Sequence, residues 1–554
     1  MTNGLERIEQ LPEPPEGGSL PELWVYIQKL YKKLQEAQTG RLADFDILKL
    51  RNTSWVDVRA YGVKGDGTTD DTVAIRAVMN SGANFIKFPK ATYAMSGPFE
   101  LVSNVYIEIE PGTIFSKLSD GDNVGWWKLF DISNVIISGY EVEWKYATKP
   151  TSDEHRHIFD IRGASNIHIL GAAANDSGGD GFYVGATGTQ PFCENIVLRD
   201  ISANNNRRQG LSIISAKHLK VINPRLTNTT GTSPAAGCDI EPNSNDNFLE
   251  DVVIENPYTE GNDGWGITVY INSLAGVVDK EVTIRIINPI DKHSVGGLQV
   301  NALDLDGNTI NGNIIIKNLV SIEPDLSAFT ARNYDRDGPR IELHSPLTIR
   351  PNEGNNGSLK FGSAFIVYRE PGDTGAAAIG NVHFFNPEIK DNRAIPRVKN
   401  YFYIQDLTGA DVQNVTIDGQ ITGEGIVNPA LMVDFYGTGR VEDLSQLITH
   451  DMTNASFTLA ESIYLRLVHN LSNTATKIVT LSDDIPAGWP DVTFEVRVAQ
   501  TLRIDPAANS TIVPFGTGAG KYLQSSTIGH RITLRRTSAT QWKVVDIVGA
   551  WTAE

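Results

Sequence analysis

One motif constrains this chain more than any other: Asn or a polar substitute, then apolar, any residue, apolar. It reads "NVYI" at 104, "NVII" at 134, "NIHI" at 166, "NIVL" at 195, "HLKV" at 218 and "DVVI" at 251. It continues as "EVTI" at 281, "NIII" at 313, "PLTI" at 346, "NVHF" at 381 and "NVTI" at 414. Successive starts are 30, 32, 29, 23, 33, 30, 32, 33, 35 and 33 residues apart, a loose period of the size that marks a solenoid. The unit alternates with period two and is rich in Val and Ile, so it is a strand rather than a helix pair. A rung of this length holds three short strands and three turns, which predicts a parallel β-helix. The leucine frame of a leucine-rich horseshoe is absent, and a propeller needs blades of four antiparallel strands.

A second strand of each rung aligns on a glycine: "GFYV" at 181, "GLSI" at 210, "GCDI" at 237, "GWGI" at 264 and "GLQV" at 297. In that register Phe182, Leu211, Cys238, Trp265 and Leu298 form one inward column, and Val184, Ile213, Ile240, Ile267 and Val300 a second. Tyr183, Ser212, Asp239, Gly266 and Gln299 are then expected outward. Cys238 reads as a buried core thiol, not a nucleophile.

The run "GCDIEPN" places Asp239 and Glu241 on either side of Ile240, hence on one face of a strand and roughly 6.5–7 Å apart at the backbone. Two like charges so close push one pKa up, which suits a general acid beside an ionised carboxylate. Glycoside hydrolysis uses such a pair, and this spacing slightly favours inversion. The same pattern is also common on solvated β-faces. In this register Thr268 lies beside Glu241. Asp263, at the turn before its strand and roughly 10 Å or more away on strand and rung spacings, is a possible third acid. Asp180 holds the same turn position two rungs before the pair and either serves the turn or binds substrate. Tyr183 could stack on a sugar, and Arg207 and Arg208 in "NNNRRQG" could hold an acidic one or solvate a turn. His155 and His157 in "SDEHRH" have no further ligand cluster to support zinc, and "DLDG" at 304–307 is too short for calcium. No cofactor or metal is expected.

The formal net charge of −18 argues against nucleic acid or an anionic membrane as a partner. Two cysteines, Cys193 and Cys238, exclude a disulfide framework. No uncharged apolar run approaches the roughly 18–20 residues of a membrane span. The start, "MTNGLERIEQLPEPPEGG", lacks a basic segment followed by an apolar run, so no secretory signal is expected. After a Pro/Gly/Glu linker, Leu23, Ile27, Leu30 and Leu34 form either a short coiled-coil-like seam or the face of a single amphipathic helix. Beyond residue 436 the repeat fades into short strands with close turns, which suggests a separate antiparallel β-domain that caps the solenoid.

The solenoid opens with "WVDVRAYGVKGDGTTDDTVAIRAVMNSGANFIKFPKATY". This resembles the entry to the pectate-lyase-like right-handed β-helix superfamily. There a "GDGxTDDTxAIxxA" turn and helix and an "hxFPxGxY" strand cap the first rung; here Ala91 stands where glycine is usual. Thr69 or Asp70 is the expected N-cap of a helix over Val73–Asn80, which makes the acidic cluster structural. Within the superfamily the chain is most similar to bacteriophage tailspikes, in which a "DIEP" run also occurs. The polygalacturonase set of "NTD", "DD", "GHG" and "RxK" is not present in order, nor is the arginine signature of pectate lyases.

The resemblance implies a phage tailspike depolymerase that recognises and cleaves a bacterial surface polysaccharide, capsule or O-antigen. It implies a homotrimer carried on the virion and acting outside the cell at the bacterial surface. Residues 1–52 would attach to a tail or baseplate protein, 53–440 form the β-helix, and 441–554 form a β-sandwich-like trimerisation domain. The expected chemistry is hydrolysis by Asp239 and Glu241. The alternatives are a non-catalytic trimeric glycan-binding tail fibre, a lyase working by β-elimination, and a secreted pectinase-like enzyme, which the missing signal weakens.

Overall fold

The computed structural model describes residues 55–553, apart from 119–122, 304–309, 374–377 and several short stretches between 409 and 520. The expected attachment segment, with its Leu23–Leu34 seam, and the "DLDG" run lie outside the described residues. The repeating part is a right-handed parallel β-helix. Strands such as Cys193–Arg199, Ala216–Ile222 and Leu249–Glu255 stack in parallel as one ladder. Short strands such as Ser202–Asn204, Arg225–Thr227 and Tyr258–Glu260 stack as a second. A twelve-stranded ladder runs from Phe99–Glu100 to Val433–Tyr436. Parallel neighbours need a crossover, and the right-handed twist of L-residue strands sets the hand of that crossover.

The polar residue that opens eight of the eleven motifs has a physical task. Asn104, Asn134, Asn166, Asn195, His218, Asp251, Asn381 and Asn414 all have φ between 51° and 62°. This left-handed corner is one that Asn tolerates better than most residues. An amide both donates and accepts, so the corners stack: Asn134 Nδ2 donates to Asn104 Oδ1 at 2.8 Å and Asn166 Nδ2 to Asn134 Oδ1 at 3.1 Å. At another corner Asn256, Asn288 and Asn318 form the same chain onto Asn223 at 2.8–2.9 Å.

Inside, aromatic rings continue from rung to rung. Phe115 stacks on Trp144 at 5.1 Å and Phe159 on Phe182 at 5.0 Å. The first rungs are covered by a helix over Thr72–Met79, one residue earlier than expected, which buries Ile75, Val78 and Met79. Asp71 occupies its N-cap position, but Asp70 Oδ1 accepts from Thr72 N at 3.0 Å. Asp71 and Asp66 accept from the backbone of Lys64, Gly65, Thr68 and Thr69. These acids hold turns.

The C-terminal strands alternate between two sheets. Arg531–Ser538 pairs antiparallel with Val492–Glu495 and with Gln541–Val548, as expected of that region. The earlier strands pair in parallel instead: Thr449–Asp451 with Leu467–His469, and Phe457–Leu459 with Lys477–Leu481. The two sheets are therefore mixed, with parallel pairing carried beyond the point where the sequence repeat fades.

Candidate functional site

Five consecutive strands of the twelve-stranded ladder position the candidate residues: β1 (Phe159–Arg162), β2 (Asp180–Gly185), β3 (Gln209–Ile213), β4 (Cys238–Ile240) and β5 (Trp265–Tyr270). Phe182, Leu211 and Cys238 share a column as expected, but the next residue is Ile267, not Trp265. The sequence alignment chose the wrong glycine of "GWG". Gly266 is the one in register, and a Cβ there would sit 2.4 Å from Asp291 Oδ1 in the solenoid interior. Two corrections follow. Trp265 lies outside the core column, and Thr268 pairs with Asp239 rather than lying beside Glu241.

Asp239 is on the outer face as expected, yet its residue is only 1% exposed, unlike a position on a solvated β-face. Gln209 Nε2 donates to its Oδ2 at 3.0 Å. Burial first, and then the charge of Glu241, hold the Asp239 carboxyl well above the ordinary range, against the pull of Arg208. Its Oδ1 is buried and faces no donor. Glu241 follows the strand, its N–H held by Ile213 O at 3.1 Å, and its side chain is 34% exposed. In register beside Asp239, the buried Ser212 Oγ and Thr268 Oγ1 also lack partners. Three rungs in a row thus present an unsatisfied buried oxygen on one face, which water or a sugar hydroxyl would satisfy.

Arg208 organises the charge. Three turns stack through the backbone, Gly179 N to Arg156 O at 3.2 Å and Arg208 N to Gly179 O at 3.0 Å. The guanidinium then lies 3.4 Å from Asp180 Oδ2, 3.7 Å from Glu154 Oε2 and 3.9 Å from Glu241 Oε2. Arg207 points elsewhere, donating to Asp153 O at 2.5 Å. Asp180 is fully buried between Arg208 and His157, whose Nδ1 accepts from Asp180 N at 3.1 Å. Nδ1 is therefore the acceptor, and the buried Nε2 has no partner. An expected direct contact of Asp180 with sugar is not available at this burial.

Tyr183 does not offer the expected open ring. His157 stacks on it at 4.6 Å and the Arg162 guanidinium lies 4.4 Å from its centroid, with Arg162 itself fixed by Asp160 at 2.6 Å. With these neighbours the ring is buried. Asp263 is exposed on its turn, where its charge acts on Lys149. The structure therefore gathers Asp180, Arg208, Asp239, Glu241 and Thr268 in one place and sets Asp263 and Arg207 apart from the acid pair. Glu154 and Gln209 were not singled out in the sequence, and His157 was weighed there only as a metal ligand. Gln209, in the same "RRQG" run as Arg208 and directly before Gly210, was the one with a usable signal. No group of three or more potential metal ligands occurs among the described residues.

Residues 55–285 match the family described as "Rhamnogalacturonase A/epimerase, pectate lyase-like". The chain is 28% identical to Alginate lyase 7 of Azotobacter vinelandii over 208 residues, 29% of this chain and 24% of that protein. It thus spans about a quarter of that relative's length. Among solved structures it is similar to the A-module of the Azotobacter vinelandii mannuronan C-5 epimerase AlgE4, at 15% identity and a TM-score of 0.48 over 70% of this chain and 100% of that one. It is also similar to the N-terminal fragment of bacteriophage phi29 gene product 12, at 15% identity and a TM-score of 0.45 over 80% and 85%.

Proposed function

We propose that the protein is a phage tailspike that depolymerises a bacterial surface polysaccharide, capsule or O-antigen, by hydrolysing its glycosidic bonds at the Arg208-centred cluster. The observation that carries this reading is the asymmetry of two carboxyls on one rung. Asp239 is buried and holds its proton above the ordinary carboxyl range, while Glu241, two residues on, reaches solvent. Such a pair keeps one proton where a lone exposed carboxyl has lost it. Glu241 is the limb that touches the glycan and delivers the proton to the leaving oxygen. Asp239 is a positioning residue that holds the shared proton. The descriptions of the matching family and of the curated relative, a rhamnogalacturonase or epimerase and an alginate lyase, support a polysaccharide as substrate. In this reading the spike is a homotrimer, attached to the tail through residues 1–52, and it needs no cofactor.

A β-elimination reading is favoured by one feature. His157 stacks on Tyr183, and its Nε2 lacks a partner, so two proton-transfer groups stand together on the same outer face, two and three rungs before the acids. A direct test separates the two. The full chain is incubated with a panel of purified capsular polysaccharides, O-antigens, alginate and polygalacturonate. Reducing ends without the absorbance of an unsaturated uronate mean hydrolysis; both rising together mean elimination. Binding without either would overturn the enzymatic reading.

A further inference from the structure

The pair on β4 supplies one half of a hydrolytic site, an acid, and leaves open where the second carboxylate comes from. Asp239 is 1% exposed and belongs to the acid pair itself, and Asp180 is fully buried. Asp263 is exposed on a turn, acting on Lys149. One further carboxylate touches the same guanidinium. Glu154 comes from the loop before β1, with its side chain 50% exposed and Oε2 at 3.7 Å from Arg208 Nε. Glu241 Oε2 lies 3.9 Å from Nη2 of that arginine. Neighbouring nitrogens of one planar guanidinium keep the two carboxylates within about 10 Å of each other, which admits the spacing of about 6.5–9.5 Å that leaves room for a water.

The loop that carries Glu154 is fixed rather than loose. Arg207 donates to the backbone oxygen of Asp153, and Arg156 Nη2 pairs with Asp153 Oδ2 at 2.7 Å. The backbone rests directly on Gly179, where an added Cβ would lie 2.5 Å from Glu154 O. Behind the guanidinium, buried polar atoms without partners, Asp180 Oδ1, His157 Nε2 and Asp239 Oδ1, mark a place shaped for more than its own side chains.

We infer that Glu154 is the second catalytic carboxylate, the base that activates water opposite Glu241, with Arg208 fixing the distance between them. The inference rests on the hydrolytic reading above. In the step it describes, a water oxygen bonds to the anomeric carbon and gives its proton to Glu154. The glycosidic carbon–oxygen bond breaks, and the leaving oxygen takes the proton from Glu241. The anomeric configuration is inverted.

The test uses the full chain and whichever polysaccharide of the panel the wild type cleaves. Glu154→Gln is expected to lower kcat about a hundredfold or more, with KM within about threefold and the unfolding midpoint unchanged. Glu154→Ala is expected to regain turnover in azide, yielding a glycosyl azide of inverted configuration. Activity within about threefold of wild type in Glu154→Gln, a loss confined to KM, or a loss in Glu154→Ala that azide does not restore would each overturn this role and leave the hydrolytic reading standing. If the wild type releases no reducing ends from any member of the panel, or only unsaturated ends, the hydrolytic reading fails and takes this role with it.

Discussion

Around Asp239 the outer face of the twelve-stranded ladder is covered but polar; around Ile366 and Tyr403 the same face is covered and apolar. The two stretches share columns: Asp239, Thr268, Gln299, Thr330, Ile366 and Tyr403 follow one another in register. In the later stretch Ile366, Tyr368 and Tyr403 are buried with Phe361 packed against them, and Lys360 lies 4.6 Å from the Tyr368 ring. That patch gains by hydrophobic burial, with Gln405 Oε1, in register beside Tyr368, as its unpartnered oxygen. The earlier stretch buries carboxyls and hydroxyls and leaves several of their atoms without partners, a costly arrangement that stability alone does not explain. One fold, one face and one register thus carry an apolar packed patch in one place and a buried polar cluster in the other.

The contrast can be broken at several points. Glu241→Gln should lower cleavage by about a thousandfold, the scale of a lost general acid, with an unchanged unfolding midpoint. Tyr403→Ala should do the reverse, costing about 3 kcal/mol of stability in a urea titration while the specific activity of the folded fraction stays near wild type. Equal damage to activity from both would erase the distinction.

A second contrast sets Asp239 on the outer face against Asp291 inside the solenoid. Asp291 is 2% exposed, accepts from Thr259 Oγ1 at 2.7 Å and is raised to about 7 by burial. A carboxyl whose folded pKa lies above its unfolded value favours the folded state while protonated. Its contribution is therefore lost as pH rises from about 4 to about 7, by up to roughly 4 kcal/mol. Asp291→Asn should flatten that fall, seen as a higher urea midpoint than wild type at pH 8 and little difference at pH 4, with turnover unaffected. Asp239→Asn should instead act on catalysis, lowering kcat by about 30-fold. It should also move the alkaline limb of the pH profile to lower pH, because the charge that retains the shared proton is gone. An unmoved limb would reduce Asp239 to a structural group.

The β-helix was legible because its period is written in the chain: in most copies the motif's polar first residue is the left-handed corner and its two apolar residues are the core. "PLTI" at 346 is the exception; it lies in the short-strand ladder, and Arg340–His344 takes its place in the motif ladder. The Asp239–Glu241 pair was legible for the same reason, since alternation alone places both on one side of Ile240. What covers that side was not. Asp239 is met by Gln209 from the neighbouring rung, and the contact of Glu154 with Arg208 spans 54 residues of sequence in a loop with no period. The register slip at Trp265 has a local cause. Gly264 and Gly266 look alike in a sequence, and only the opposite strand, through Asp291 and Thr259, distinguishes them. The parallel pairing after residue 449 was hidden because short strands with close turns fit either direction.

The central claim is that the Arg208-centred cluster hydrolyses glycosidic bonds with Glu241 at the substrate. The most direct measurement follows reducing ends and unsaturated-uronate absorbance together, for wild type and Glu241→Gln, on a polysaccharide of the panel that the protein binds. The account predicts that wild type releases reducing ends without new absorbance and that Glu241→Gln, still binding, releases almost none. Absorbance rising in step with cleavage, or a Glu241→Gln protein that cleaves at the wild-type rate, would contradict it.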